Sequence, residues 1–309
     1  MTEGNQPILS ICIPTYNRAE ILRANLQRMH NQLQKVKPDE IEVIVSDNCS
    51  SDNTQDVVVE MQRTGMPIIY NHNEENIGAD RNFLKCMHIA KGKYIYLLGD
   101  DDFLDDSALG NLLDVLRGND YGLVYIDTRS QSDGSVTEYR DRTEFVKQVS
   151  YFYTFMSGCI FRREAVSMVS HLERYIKTNL LQMPFYLQST ILSERNVVIR
   201  FPILGQTGAD AKNNGGYNYF EVFVRNYLTI MEEYIHDKAL LSWLKKDIWS
   251  FTWGYTKRLL IRKDAGNFKI ENGWKILFKY YGNEWYFWWT LFKYSFGVVK
   301  RKIKKLATK

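Results

Sequence analysis

Two hydrophobic rhythms take turns along this chain. Short apolar runs of strand length cover residues 8–14, 41–46, 67–70, 94–98 and 123–126. Between them, apolar residues recur every three or four positions: Leu22, Leu26, Met29 and Leu33; Val58 and Met61; Phe83, Leu84, Met87 and Ile89; Leu109, Leu112, Leu113 and Leu116. The first rhythm predicts buried strands and the second predicts amphipathic helices. Their alternation over residues 8–126 predicts an α/β fold, a mostly parallel sheet flanked by helices and joined by right-handed crossovers. Residues 127–150 read as polar, with a turn at 131–135. Order resumes at 157–163, followed by helical stretches around 164–176 and 180–193. Residues 206–217 read as a loop, either a lid or an ordinary surface connection. From Tyr219 onward the pattern is helical, broken at Ala265-Gly266-Asn267. The expected organisation is therefore an α/β domain over 1–218 and a helical C-terminal extension over 219–309.

Composition changes this picture in one respect. The 309 residues carry a net charge of +4, but ten of the forty Lys/Arg and two of the thirty-six Asp/Glu lie in 269–309. That tail is +8, and the remainder, with thirty basic and thirty-four acidic residues, is −4. A basic tail on a mildly acidic body suggests an anionic partner. Trp274, Trp285, Trp288 and Trp289, with Phe287, Phe292, Tyr294 and Phe296, precede Lys300-Arg301-Lys302-Ile303-Lys304-Lys305. Interfacial aromatics followed by clustered cations fit an anionic membrane surface, whereas a packed helix pair with a solvated basic end is the plainer alternative. Nucleic acid fits less well, because the cations cluster at the extreme end. Cys12, Cys49, Cys86 and Cys159 form no CxxC pair, so reduced thiols of a cytoplasmic protein are expected. The amino terminus is polar and no apolar run reaches about 20 residues, so neither a signal peptide nor a spanning helix is expected.

Candidate chemistry gathers at the ends of the predicted strands. The fourth run ends in Gly99-Asp100-Asp101-Asp102. Adjacent carboxylates repel unless a cation intervenes, and Mg²⁺ or Mn²⁺ suits oxygen ligands, typically one or two carboxylates plus substrate phosphates. A solvated acidic turn, with Asp105 and Asp106 starting a helix, is the alternative. After the first strand, Asn17-Arg18-Ala19-Glu20 has capping-box spacing, so Asn17 reads either as a helix cap or as part of a ligand loop. After the second, Asp47 reads as an acceptor for a base or ribose, or as an Asx turn. Gly78 permits a close turn before a helix whose amino end, with Arg81 near it, suits an anion such as a diphosphate; a plain surface arginine is the alternative. Parallel strands with helical crossovers bring such ends to one edge, where ligands bind in open α/β sheets.

Taken together, Ile13-Pro14-Thr15-Tyr16-Asn17-Arg18, Ser46-Asp47-Asn48-Cys49-Ser50-Ser51-Asp52, Asn76-Ile77-Gly78 through Arg81-Asn82, and Gly92-Lys93-Tyr94 through Asp102 resemble an inverting family 2 glycosyltransferase of GT-A fold, of the bacterial surface-polysaccharide type. The resemblance covers residues 7–130, the nucleotide-sugar half, and thins from about 150 into the acceptor half. It implies a nucleotide-diphosphate sugar lying across the strand ends, with Pro14, Thr15, Asn17 and Arg18 in the nucleotide loop and Asp47 and Asn48 at the base or ribose. It implies Gly78 and Arg81 near the diphosphate, and Asp100, Asp101 and Asp102 as a DxD-like motif for Mn²⁺ or Mg²⁺. It further implies a glycan or polyprenyl-diphosphate-linked glycan as acceptor, on the inner face of the cell membrane, in assembly of O-antigen or capsule.

Three departures bear on that assignment. The second of the two acids often found after the second strand is Asn48. The usual Asp-x-Asp-Asp reads Gly99-Asp100-Asp101-Asp102. Where the general base is expected, the chain reads Asn179-Leu180-Leu181-Gln182-Met183-Pro184, with no acid. Asp210 is then the candidate base, with Asp127 and Glu221 behind it. A nucleotidyltransferase, or a non-catalytic sugar-binding or scaffold protein on the same fold, are the competing readings.

Overall fold

The computed structural model describes residues 6–129, 132–207 and 216–307. The chain divides into two compact units, Met1–Ala211 and Lys212–Lys309.

The first unit opens with β1 (Leu9–Thr15), α1 (Ala19–Leu33), β2 (Ile41–Asp47), α2 (Thr54–Arg63), β3 (Ile68–His72), α3 (Ala79–Ile89) and β4 (Tyr94–Leu97). It continues with β5 (Asp102–Leu104), α4 (Ala108–Leu116), β6 (Leu123–Ile126), β7 (Val136–Tyr139) and α5 (Arg142–Val149). It closes with β8 (Cys159–Arg162), α6 (Glu164–Met168), α7 (Gln182–Leu192), β9 (Asn196–Ile199) and β10 (Leu204–Thr207). Eight strands form one sheet in the order β3-β2-β1-β4-β8-β6-β9-β7. Strands β1 to β4 are mutually parallel; β8 runs antiparallel to both β4 and β6, and β7 antiparallel to β9. The expected mostly parallel α/β sheet is what forms. Every residue of β1 is buried, as a central strand covered on both faces requires. Leu9, Ile11 and Ile13 share one core with Leu22, Leu26 and Met29 of α1 and with Leu109, Leu112, Leu113 and Leu116 of α4.

Register positions the chemistry. Cys12 lies opposite Leu97 on one side of β1, and Thr15 opposite Asp47 on the other. Continuing the β1–β4 register three residues puts Thr15 beside Asp100. Because β2 and β4 flank β1 on opposite sides, this is where the strand order reverses, the place at which open α/β sheets bind ligands.

Several expectations need correcting. Asn17 is not the cap of α1: Arg18 holds the N-cap position without a side-chain bond, and the first helical amide, Ala19 N–H, donates to Asp52 Oδ2 at 3.0 Å. Asp52 Oδ1 also accepts from the Thr54 amide at 3.1 Å and its hydroxyl at 2.5 Å, so one carboxylate serves the starts of α1 and α2. Asp102 is not in a plain turn but begins β5, which pairs antiparallel with β10. Residues 127–150 hold β7 and α5, and β9 follows α7; these are pieces of four to eight residues with neither a countable period nor the four-residue apolar run that marks β4 and β6.

The second unit contains α8 (Tyr227–Tyr234), α9 (Lys238–Thr256), α10 (Gly273–Tyr281) and α11 (Trp285–Ala307). Asp237 caps α9, accepting from the Ala239 and Leu240 amides. Trp249 of α9 packs on Tyr281 and Phe287, with centroids 5.0 and 5.1 Å away. Among the described residues no helix is long and apolar enough to cross a membrane.

Candidate active site

A cleft of about 290 Å³ opens over the tips of β1, β2 and β4, lined among others by Pro14, Thr15, Tyr16, Arg18, Asn48, Gly99, Asp100 and Asp101. Thr15, the last residue of β1, donates its hydroxyl to Asp100 Oδ2 at 2.7 Å. Arg18 spans two carboxylates: Nη1 donates to Asp100 Oδ1 at 2.6 Å and Nη2 to Asp101 Oδ2 at 2.8 Å. Asn25, buried on α1, holds the acidic turn from beneath, its Nδ2 facing the carbonyls of Gly99, Asp100 and Asp102 at 3.1–3.3 Å. Ser157 donates to Asp102 Oδ2 at 2.6 Å and accepts from the Gly99 amide at 2.9 Å. Each side chain is therefore aimed by a bond to a separate element.

Electrostatics follow from this packing. Burial pushes the Asp100 carboxyl up to about 6; Arg18 and the Thr15 hydroxyl oppose the shift, while Asp101 and Asp102 add to it. Asp102 is raised by burial too, with Ser157 opposing. Burial weighs against the charge on Arg18, but Asp100 and Asp101 outweigh it and its pKa rises. Three clustered acids with one guanidinium leave a surplus of negative charge at the cleft floor.

The neighbouring tip is built of amides. Asp47 is fully buried and its carboxylate is engaged within the tip: Oδ1 accepts from the Ser50 amide at 2.9 Å and hydroxyl at 2.5 Å, and Oδ2 accepts from the Tyr70 hydroxyl at 2.8 Å. His72 Nδ1 lies 3.2 Å from the same oxygen. Asn48 lines the cleft, donating to Asn76 Oδ1 at 2.8 Å and accepting from the Ile77 amide at 3.0 Å. Asn82 Oδ1 accepts from Ser46 Oγ at 2.7 Å and Asn73 Nδ2 at 2.9 Å. Sequence reasoning did not single out Tyr16, Asn76, Ala79, Asn82, Phe83 or Met156 as lining residues. Tyr16, Asn76, Ala79 and Asn82 lie within the segments that carry the family resemblance but have no assigned role there.

Other expected residues stand elsewhere. Asn17, at φ +52°, spends its groups on the loop after β2, its amide donating to Ser50 Oγ and its Oδ1 accepting from the Ser51 amide, both at 2.8 Å. Gly78, at φ +84°, starts α3. Arg81 is exposed and paired with Glu173 at 3.0 Å. Asp127 pairs with Arg129 and Arg200, and Glu221, in the second unit, with Arg225. Gln182 begins α7 and donates to the Thr154 carbonyl at 2.8 Å. Asp210 lies outside the described residues.

Compared with known proteins, residues 10–180 match the model of glycosyl transferase family 2, more than half of the chain. The chain belongs to that family. Among curated relatives, it is 37% identical over 135 residues to the abequosyltransferase RfbV of Salmonella typhimurium, 43% of this chain and 39% of that protein. It is 31% identical over 134 residues to a GalNAc(5)-diNAcBac-PP-undecaprenol β-1,3-glucosyltransferase of Campylobacter jejuni, 43% of this chain and 41% of the other. The chain thus spans about two fifths of the length of these relatives. Among solved structures, TarS 1–349 of S. aureus in complex with UDP-GlcNAc superposes at TM-score 0.64 and 18% identity, over 88% of this chain and 80% of that one. The mannosyltransferase PcManGT of Pyrobaculum calidifontis, in complex with GDP-Man and Mn²⁺, superposes at 0.55 and 15%, over 81% and 76%. These likenesses bear on fold, which is GT-A.

The acidic turn also fits a hard divalent cation by the chemistry of its own donors. Among the described residues no three His, Cys, Asp or Glu side chains form a ready-made metal cluster. A cation that takes its remaining ligands from a diphosphate and water needs only one or two carboxylates. A Cβ on Gly99 would meet Asp102 Oδ2 at 2.9 Å and Asp101 Oδ1 at 3.1 Å. Two carboxylate oxygens thus converge over a spot that only glycine leaves open, and an all-oxygen donor set suits Mg²⁺ or Mn²⁺.

Proposed function

We propose that this family 2 protein is a metal-dependent, inverting glycosyltransferase. It takes a sugar from a nucleotide-diphosphate donor and places it on a lipid-linked glycan during assembly of a surface polysaccharide. The observation that carries the reading is the chain Thr15–Asp100–Arg18–Asp101, closed across 85 residues of sequence at the strand-order reversal and lining the cleft. The undecaprenol named for the Campylobacter relative supports the lipid-linked acceptor.

Asp101 and Asp102 are the residues that would hold Mn²⁺ or Mg²⁺, with Asp100 beneath them. When bound, the ion supplies Lewis-acid stabilisation of the charge that builds on the departing diphosphate. Arg18 presents a planar fork of donors, matched to phosphate oxygens as well as to carboxylates, so it can transfer one arm to the diphosphate. Asn48, with Asp47 behind it, serves the base or ribose, and its amide both donates and accepts. Arg81 can turn to the diphosphate at little cost, since its pair with Glu173 is exposed. Inversion requires the acceptor hydroxyl to attack C1 from the face opposite the diphosphate while a base takes its proton. Asp210 is the residue we assign to that step.

The test is release of UDP or GDP from a panel of nucleotide sugars, with Mn²⁺ or EDTA, in the presence of lipid-linked acceptor. Asp101→Ala and Asp102→Ala are expected to lower turnover at least about a hundredfold with unchanged thermal midpoints. Near-normal turnover in both removes the metal role. Gln182, standing where an acid is expected, favours a second reading, a sugar-binding protein without turnover. Donor binding with no nucleotide release under any condition decides for it.

A further inference from the structure

Helix α11 carries two unlike aromatic faces. One is spent on packing: Phe287 is fully buried against Trp249, and Tyr294 meets Trp253 edge-on at 5.7 Å. On the other, Trp285, Trp288, Trp289, Phe292 and Phe296 fall at i, i+3, i+4, i+7 and i+11, the spacing of a single stripe. All five are exposed, from 49% for Trp289 to 68% for Trp285. Phe278 of α10, 46% exposed, widens the stripe, with its ring 5.8 Å from Trp288. Leaving this much aromatic surface in water is unfavourable, and contiguous apolar patches of this kind mark interaction sites.

Charge selects the occupant. From Trp285 to the end, the sequence holds seven Lys/Arg and no Asp or Glu. Six of the seven follow the stripe within residues 300–309, and the seventh, Lys293, lies 5.0 Å over the Trp289 ring. A second copy docked stripe to stripe would bring two such cationic helices together. An anionic lipid surface pairs with the cations and accepts indole and phenyl rings at headgroup depth. The helix is too polar to span, so the arrangement is that of a helix lying in the interface plane. We propose that α11 is a membrane-docking helix that seats this stripe in an anionic bilayer, with the basic run on the headgroups. The proposal stands apart from the reading of the cleft.

The experiment is co-sedimentation of the full chain with vesicles of phosphatidylcholine alone or with about one third phosphatidylglycerol. Wild-type protein is expected to partition at least about tenfold more strongly to the anionic vesicles, with binding falling in 0.5 M NaCl. The variant W288S/F292S/F296S changes exposed side chains only and is expected to lose about tenfold or more; K300Q/K302Q/K304Q is expected to lose the preference for anionic lipid. Circular dichroism and nucleotide binding report folding of each variant. Equal binding to both vesicle types overturns the proposal, as does undiminished binding by the aromatic variant. Sedimentation showing a dimer that the aromatic substitutions dissociate overturns it in favour of a second copy.

Discussion

Asp100 is a buried carboxylate answered by one hydroxyl and one shared guanidinium, and that is less than a charge at this depth needs. Its folded pKa, pushed up to about 6 chiefly by burial, exceeds the ordinary carboxylate value near 4. Between those values the folded protein keeps a proton that the unfolded chain has released. The stability contributed by this group therefore declines as pH rises through that window, and the full penalty, on the order of 2–3 kcal/mol at most, stands above pH ~6. Asp100→Asn removes the titration. The difference in thermal midpoint, variant minus wild type in EDTA, is expected to be more positive at about pH 7.5 than at about pH 4.5; a difference independent of pH contradicts the assignment. Gly99 tests the same turn from the other side. Gly99→Ala pushes a methyl against Asp101 and Asp102, and is expected to weaken Mn²⁺ binding, followed by the loss of free-ion EPR signal, about tenfold or more. Its folded-state midpoint should move by only a few degrees, because the atoms displaced are carboxylate ends. The three aspartates were legible in the sequence because charged residues at the end of an apolar run are anomalous. Asn82 and Asn76 stood within the segments of the family resemblance, but nothing marked them as lining the cleft, because an asparagine before or within the first turn of a helix is commonplace.

Among the elements, those legible beforehand were apolar runs of strand length and helices with a countable repeat. Strands β1 and β2 are runs of seven residues, the four-residue β4 and β6 are wholly buried runs, and α1 repeats over fifteen residues. Strands β5, β7, β9 and β10 have three or four residues and exist through partners far away in sequence, such as Asp102 opposite Thr207 or Glu138 opposite Val197. The start of α1 shows the same limit on a smaller scale. The local capping box around Asn17 loses to Asp52, thirty-three residues beyond the Ala19 amide it binds, which sheet register brings alongside. Since Asp52 Oδ2 serves α1 and Oδ1 serves α2, Asp52→Ala leaves two helix starts without an acceptor, at roughly 1 kcal/mol each. Asp52→Asn keeps one carbonyl oxygen and is expected to lose about half as much. Urea unfolding of the three proteins checks the order wild type, Asn, Ala; equal losses in the two variants contradict the double cap.

For the molecule as a whole, the expected alternation of strand and helix sufficed to predict the sheet and the edge at which polar clusters meet, but not which side chains of each cluster turn inward. Asp47 and Asp100 both end up buried; one is absorbed by Ser50 and Tyr70, and the other faces the cleft with Thr15 and Arg18. All the lining residues of the cleft lie in the first unit, together with the eight-stranded sheet and its core. The aromatic stripe lies in the second. If donor recognition and membrane attachment are assigned correctly, they separate with the chain. A fragment of residues 1–211 is expected to bind UDP or GDP with Mn²⁺ within about threefold of the full chain, by calorimetry, and to stay in the supernatant with anionic vesicles. Its fold is checked by a cooperative thermal transition and helical circular dichroism. A folded fragment that no longer binds nucleotide contradicts the donor assignment, because Arg81 and every strand-tip residue of the proposed set are retained in it. A folded fragment that still pellets with anionic vesicles contradicts the membrane assignment instead, since it lacks every residue of the stripe.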